Sequence, residues 1–383
     1  MKISRLSILI LFIASLHAND DEVKKAVGSV KEKYCPDRRT AVFDITWESV
    51  ANGLVIKGEI DNPNAKSELF TTLRTIVGGS IIDSVRLLPD ESLGKNIYGI
   101  VTLSVGNVRS KPGEPEELAT QVLMGMVVKV LKKGSGYFYV QSHDQYLGWL
   151  DTYSIQLTDE AGRDAWASAS KVVVTNFFGM VREQPNDESL PVCDAVAGNM
   201  FKGTKSSGAW TSVELADGRK GFLLSSFVEN YESWKSTRQL TGENIEKAAK
   251  MFVGVPYLWG GTSPKGMDCS GFTKTVFRMN GLELNRDANQ QAWMGTEVPT
   301  DPDFKNLRKG DLMFFGRKAT LERGERISHV AIYLENKGFI HSSGRVRFGS
   351  FDPTSPLYDE GNLKRLVRVR RVIPQSTSPE VKK

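Results

Sequence analysis

The chain has 383 residues and a formal charge of +5, from 50 Lys and Arg against 45 Asp and Glu. That length exceeds one typical core and points to two or three domains. So modest a charge gives no case for nucleic acid and suits loose attraction to an anionic wall or envelope. At the start, Lys2 and Arg5 precede the apolar run Leu6 to Leu16, followed by His17 and Ala18. This reads as a secretory signal peptide over residues 1–18, too short to span a bilayer, with an imperfect cleavage signature because Leu16 stands three residues before the cut. No cysteine follows the run, so a lipoprotein anchor is not expected, and no other segment is long and apolar enough to cross a membrane. The mature protein is therefore expected to be exported (periplasmic or extracellular), without a transmembrane segment, and monomeric.

Residues 19–96 read as a small α/β module for which no site is offered. Asp20 to Tyr34 has a helical alternation, Thr40 to Glu59 gives two strands around Asn52-Gly53, Leu69 to Val77 a short helix and Ile81 to Leu88 a strand. An internal repeat follows. Val108-Arg-x-x-Pro112 recurs as Val181-Arg-x-x-Pro185, Gly125 as Gly198, Tyr137 as Trp210, and Gly148-Trp-Leu150 as Gly221-Phe-Leu223, always 73 residues on. A constant offset across separate features means two copies of one unit. Short β-rich runs between Gly, Pro and Asp/Asn turns make each a small antiparallel barrel, at 97–160 and 170–230. These units resemble bacterial SH3-like domains.

The last long segment, 240–374, carries the chemistry, with 375–383 expected to be a disordered tail. In Met267-Asp-Cys-Ser-Gly-Phe-Thr-Lys274 a cysteine sits where a Gly- and aromatic-rich loop, Pro256-Tyr-Leu-Trp-Gly-Gly261, turns into a helix that runs to Asn280-Gly281. A thiol on the first helical turn meets the positive end of the macrodipole and free N–H groups, which favours the thiolate and offers an oxyanion site. Of four histidines, His329 and His341 follow on consecutive strand patterns. With a three-residue loop from Glu335 to Lys337, Leu334 pairs with Gly338 and His341 lies opposite Ala331. It is then one diagonal step from His329, roughly 7–8 Å at the backbone. His329 is thus placed to take the Cys269 proton, with His341 orienting it. Zinc ligation by this trio is the competing reading. No Cys-x-x-Cys or His-x-x-x-His spacing supports it, and neither metal nor cofactor is expected. Cys35 and Cys193 fall in different expected domains and read as buried free thiols, although export permits a disulfide. The basic run to Arg370-Arg371 alternates with Leu366, Val367 and Val369 and reads as a half-exposed closing strand.

Four motifs in order resemble the NlpC-type cell-wall peptidases of papain-like fold: Pro256-Tyr-Leu-Trp-Gly-Gly261, Asp268-Cys-Ser-Gly-Phe272, Lys309-Gly-Asp-Leu-Met-Phe-Phe315 and Ser328-His-Val-Ala-Ile-Tyr333. The resemblance implies a multidomain α+β chain: the N-terminal module, two SH3-like barrels and a C-terminal papain-like catalytic domain. It implies Cys269 as nucleophile, His329 as base, His341 as the orienting residue and Tyr257 at the oxyanion site, with Trp259 beside it. Two barrels before such a domain are similar to γ-D-glutamyl–L-diamino acid endopeptidases of murein peptide recycling. In that group the first barrel closes the cleft and binds the free amine of an N-terminal L-alanine. Glu117-Leu-Ala-Thr-Gln-Val-Leu-Met-Gly125 carries that acidic role to Glu117, and Tyr146-Leu-Gly-Trp149 the tyrosine role to Tyr146. Asp268 and Ser270 are candidate contacts to the same ammonium, with Asp268 equally readable as a helix cap. Arg286 and Asp287 match a short Arg-Asp motif by the cleft, while Ala288 stands where relatives of the group carry a serine. The implied reaction is hydrolysis of the γ-D-Glu–diamino acid bond in peptidoglycan-derived peptides. The alternative is an autolysin acting on intact wall, with the barrels as anchors.

Overall fold

In the computed structural model, residues 20–374 are described and fall into two bodies, before and after Ser92. The expected signal peptide and the tail at 375–383 lie outside the described residues. No described helix is long and apolar enough to cross a membrane.

The first body has α1 (Asp20–Tyr34), an antiparallel pair β1 (Phe43–Val50) and β2 (Gly53–Ile60), α2 (Pro63–Ile76), and β3 (Ser80–Leu87) parallel to β2. Both helices cover one face, burying Val23, Val27, Leu69 and Leu73 against Leu54 and Ile56. Helix α2 starts six residues before the expected Leu69 because the Asn62 side chain caps it, accepting from the Asn64 and Ala65 N–H groups, and Pro63 suits the first helical position.

The second body opens with seven strands: β4 (Tyr98–Val101), β5 (Val105–Arg109), β6 (Leu118–Leu123), β7 (Val127–Gly134), β8 (Tyr137–Gln141), β9 (Leu147–Asp151) and β10 (Ile155–Thr158). After α3 (Glu160–Ser168) come seven more: β11 (Lys171–Val174), β12 (Phe178–Arg182), β13 (Pro191–Val196), β14 (Met200–Lys202), β15 (Trp210–Glu214), β16 (Lys220–Leu224) and β17 (Val228–Asn230). Each strand of the second set begins 73 residues after its counterpart, from Tyr98 and Lys171 to Ile155 and Val228. The strand order is also shared: β10-β4-β7-β8-β9-β5-β6 in one sheet and β17-β11-β14-β15-β16-β12-β13 in the other. The cores interlock, since Met124 packs among the residues of the second core and Val196 among those of the first. Trp166 of α3 donates from its indole N–H to the Gly125 carbonyl at 3.0 Å, tying the connecting helix to the first barrel.

The C-terminal part comprises α4 (Tyr231–Ser236), α5 (Gly242–Lys250), a short pair β18 (Thr262–Ser263) and β19 (Gly266–Met267), α6 (Cys269–Arg278), α7 (Ala288–Gln291), β20 (Thr296–Glu297), β21 (Leu312–Arg317), β22 (Arg326–Tyr333), β23 (Gly338–Ser343), β24 (Arg345–Ser350), α8 (Glu360–Lys364) and β25 (Leu366–Arg371). Its six-stranded sheet runs β20-β25-β21-β22-β23-β24. Strand alternation splits the apolar residues between two buried faces. Leu312, Phe314, Val330 and Ile332 join Phe272, Val276 and Phe277 of α6, while Met313, Phe315, Ala331 and Tyr333 join Phe339 and Phe351 behind the sheet. β25 lies between β20 and β21, and Arg368, Arg370 and Arg371 send their guanidiniums to Glu325, Glu297 and Asp311.

The first barrel is pressed onto the loop before α6. Gly260 has φ +79°, and a Cβ there would sit 2.1 Å from the Leu118 carbonyl oxygen of β6. Gly254 has a similar φ, +91°, with nothing within 4 Å. Left-handed strain alone costs an alanine about 1–2 kcal/mol, so Gly254→Ala should lower stability by about that amount. Gly260→Ala should lower it further, because the barrel must also shift. Equal falls in melting temperature for the two variants would show that the loop is not held against β6.

Candidate active site

The start of α6 is built around Asp268. Its backbone is extended, and its side chain caps the helix by accepting from the Gly271 N–H at 2.7 Å. The other carboxylate oxygen accepts from the Gly260 N–H at 3.0 Å. Arg286 then grips both oxygens, at 2.6 and 3.2 Å. Its remaining donors reach Ser270 Oγ at 3.1 Å and Thr120 Oγ1 of the first barrel at 3.0 Å. Arg286 is 2% exposed. Burial works against its charge, but the Asp268 carboxylate more than offsets this and holds the guanidinium above its ordinary pKa. Asp268, Ser270 and Arg286 thus satisfy one another. Arg286, expected beside the cleft, lies inside the protein because four hydrogen bonds from its guanidinium are made there.

Cys269 is 7% exposed, and the backbone N–H groups of Val330 and Ser270 favour its charged form. Val330 follows His329 on β22. The hairpin has the expected register: Tyr333 pairs with Phe339, Ile332 with Ile340, and the Leu334 N–H bonds the Gly338 carbonyl. Asn336 and Lys337 make the turn with positive φ. His329 Nε2 and His341 Nδ1 are 2.9 Å apart, with ring planes 74° to each other. Phe315 packs on His329 and Phe339 edge-on against His341. His341 is fully buried, and its Nε2 has no hydrogen-bond partner.

Electrostatically, burial outweighs the helix terminus. It pushes the Cys269 thiol up to about 12, with the Asp268 charge adding to the effect and the Val330 N–H, Arg286 and the Ser270 N–H opposing it. Burial also lowers His329 to about 4, helped by the Arg365 charge, and His341 to about 3, helped by His329. Burial thus opposes the pull of the helix terminus towards the thiolate, and it opposes the imidazolium as well. Tyr257, half-buried, has its phenol pKa raised by burial and by the neighbouring Cys269 and Asp268, so it stays a donor.

The first barrel borders this centre through several contacts. Trp259 donates from its indole N–H to Glu117 at 2.8 Å, and Tyr146 donates its hydroxyl to Asp287 at 3.0 Å. Gln121 accepts from Thr262 through its side chain at 2.9 Å and its carbonyl at 3.2 Å. Lys274 on α6 pairs with Asp144 at 3.0 Å and also contacts Glu283. Burial opposes the Asp144 charge, but Lys274 more than offsets it and holds the carboxyl at about 2. The structure therefore joins Glu117 to Trp259, Tyr146 to Asp287, Asp268 and Ser270 to Arg286, and His329 to His341. Glu117 and Trp259 are exposed, Asp287 is half-buried, and Tyr146, Asp268, Ser270 and Arg286 are inside. Sequence reasoning missed Thr120, Gln121, Asp144 and Lys274. The visible hint for the first two was a polar pair on an otherwise apolar strand. Cys35 is buried and Cys193 half-buried, both as free thiols. Among the described residues no cluster of three or more His, Cys, Asp or Glu is arranged to hold a metal ion.

The model of the NlpC/P60 family matches residues 254–371, and that of the bacterial dipeptidyl-peptidase Sh3 domain matches 108–155. The murein DD-endopeptidase MepS/murein LD-carboxypeptidase of Escherichia coli K12 is 34% identical over 197 residues, covering 49% of this chain and 88% of that protein. The chain belongs to the NlpC/P60 family. This cysteine peptidase is also similar to dipeptidyl-peptidase 6 of Lysinibacillus sphaericus, with 29% identity covering 68% of this chain and 93% of the relative. A γ-D-glutamyl-L-lysine dipeptidyl-peptidase of Bacillus cereus is likewise 29% identical, over 67% of this chain and 76% of the relative. A solved NlpC/P60 family protein from Bacillus cereus shares the fold with a TM-score of 0.62 at 23% identity, over 72% of this chain and all of the other.

Two tests follow from this electrostatic arrangement. Arg286→Leu leaves Asp268 buried without a counter-charge and should cost about 3–5 kcal/mol of stability, read by denaturant unfolding. Alkylation of Cys269 by iodoacetamide, followed by mass spectrometry of its peptide, should stay slow at neutral pH and accelerate as pH rises above 9. A rate already at its plateau by pH 7 would mean a resting thiolate.

Proposed function

We propose that this peptidase hydrolyses the amide between γ-linked D-glutamate and a diamino acid in wall-derived peptides that begin with a free L-alanine. What carries the reading is the barrel edge at the nucleophile: Glu117 bonded to Trp259, and Tyr146 bonded to Asp287. Two carboxylates there suit an ammonium drawn out of water. The name of the Bacillus cereus relative, a γ-D-glutamyl-L-lysine dipeptidyl-peptidase, supports a bond of the same kind.

In this reading His329 is the base at Nδ1, the nitrogen not engaged with His341. Its own proton then sits on Nε2 and is donated to His341 Nδ1, which leaves the His341 proton on Nε2. The Cys269 proton passes to His329 as Sγ attacks the γ-carbonyl carbon, and Tyr257 with N–H groups of the first α6 turn receives the oxyanion. His329 gives that proton to the departing amine as the C–N bond breaks. It then takes one from water, which attacks the thioester and frees Cys269. Burial favours this order, because charge forms only as proton transfer and attack proceed. Segments 97–160 and 170–230 serve as the closing barrels and 240–374 as the catalytic unit, in a chain exported as a monomer.

Mass spectrometry of L-Ala-γ-D-Glu-diaminopimelate after incubation tests this. Wild type should release free diaminopimelate and L-Ala-D-Glu, Cys269→Ala should release none, and Glu117→Gln should lower kcat/KM by about tenfold or more. Equal cleavage of the N-acetylated peptide, or activity confined to intact sacculi, would replace this reading with the autolysin.

A further inference from the structure

Beside His329 lies an open cleft of about 540 Å³, whose lining includes Tyr257, His329, Ser343, Arg347, Asp359 and Arg365. None of its lining residues comes from the barrels. Arg347 donates through Nε to the Ser343 carbonyl at 3.2 Å, and Arg365 through an Nη to Ser328 Oγ at 2.9 Å. Neither guanidinium has a carboxylate within ion-pair distance among the described residues. The neighbouring Arg368, Arg370 and Arg371 all do. Both unpaired charges are close enough to the catalytic histidine to depress its pKa. Asp359, the carboxylate among the lining residues, is held by the N–H and side-chain amide of Asn362 at 2.9 and 2.8 Å.

Two guanidiniums without counter-ions and one fixed carboxylate give this wall a net positive charge beside the group that protonates the leaving amine. Resting on the reading above, we infer that the cleft receives the departing diamino acid and selects one bearing a second carboxylate at its far end, as diaminopimelate does, over lysine. A diaminopimelate residue still joined through its amide nitrogen carries two carboxylates and one ammonium, the charge inverse of the wall. Lysine, with one of each, leaves a guanidinium unmatched. Guanidinium–carboxylate pairs are bidentate and geometrically selective, so the second carboxylate is read by position as well as by charge.

The test compares kcat/KM for L-Ala-γ-D-Glu-meso-diaminopimelate and L-Ala-γ-D-Glu-L-lysine in wild type, Arg347→Gln, Arg365→Gln and the double variant. Both side chains are exposed, so folding is not at stake, and the ratio cancels any change common to the two peptides, including one transmitted through Ser328. Wild type should favour the diaminopimelate peptide by about tenfold or more, and the double variant should bring the ratio to within about twofold of unity. Equal turnover of both peptides by wild type, or a ratio that the double variant leaves unchanged, overturns the inference while leaving the proposed bond intact. Cleavage of neither peptide by wild type overturns both.

Discussion

The buried pair of Asp268 and Arg286 is the constraint on which the catalytic centre rests. One carboxylate caps α6, fixes the Gly260 N–H in the loop that carries Tyr257 and Trp259, and meets a guanidinium that also holds Ser270 and, in the first barrel, Thr120. Exchanging such a pair for apolar residues need not cost stability, but removing one member strands a charge in a low dielectric. Its value here is positional: helix, loop and barrel meet on one set of hydrogen bonds, so the nucleophile and the cleft wall are set by the same group.

Around that anchor the two sides of the centre differ in charge. The barrel side offers Glu117 and Asp287, and the cleft beside His329 offers Arg347 and Arg365. On the proposed reading, a short peptide with an ammonium at its start and carboxylates at its end lies across Cys269 in one direction only. At Cys269 and His329 burial penalises the thiolate and the imidazolium alike. The same low dielectric strengthens the N–H groups that await the oxyanion.

Much of this was legible in the chain. The 73-residue repeat was visible at a few glycines, prolines and aromatics because turns demand those residues at fixed positions, and it held for every strand. The His329–His341 contact followed from one assumed loop length, since a β-hairpin transmits register from its turn to residues further along. Asp268 was readable as a cap, since capping needs only local backbone. The early start of α2 was missed although Asn62-Pro63 signals it. The burial that opposes the thiolate was not legible, because a helix terminus acts locally while burial is a property of the packed whole.

By itself the sequence determined the elements, the repeat and the register that joins His329 to His341, and it marked Cys269 as the candidate nucleophile, because turn chemistry, strand alternation and short-range spacing are written in neighbouring residues. Only tertiary structure decided which polar groups are spent on one another and which stay open to substrate. Arg286 and Arg365 are the same residue type in comparably polar stretches. One is matched by a carboxylate 18 positions earlier and by a barrel hydroxyl, and the other lines a cleft and has no carboxylate at ion-pair distance among the described residues. Burial and pairing arise from residues far apart in the chain, so the fold alone separates the structural charge from the one left free to bind.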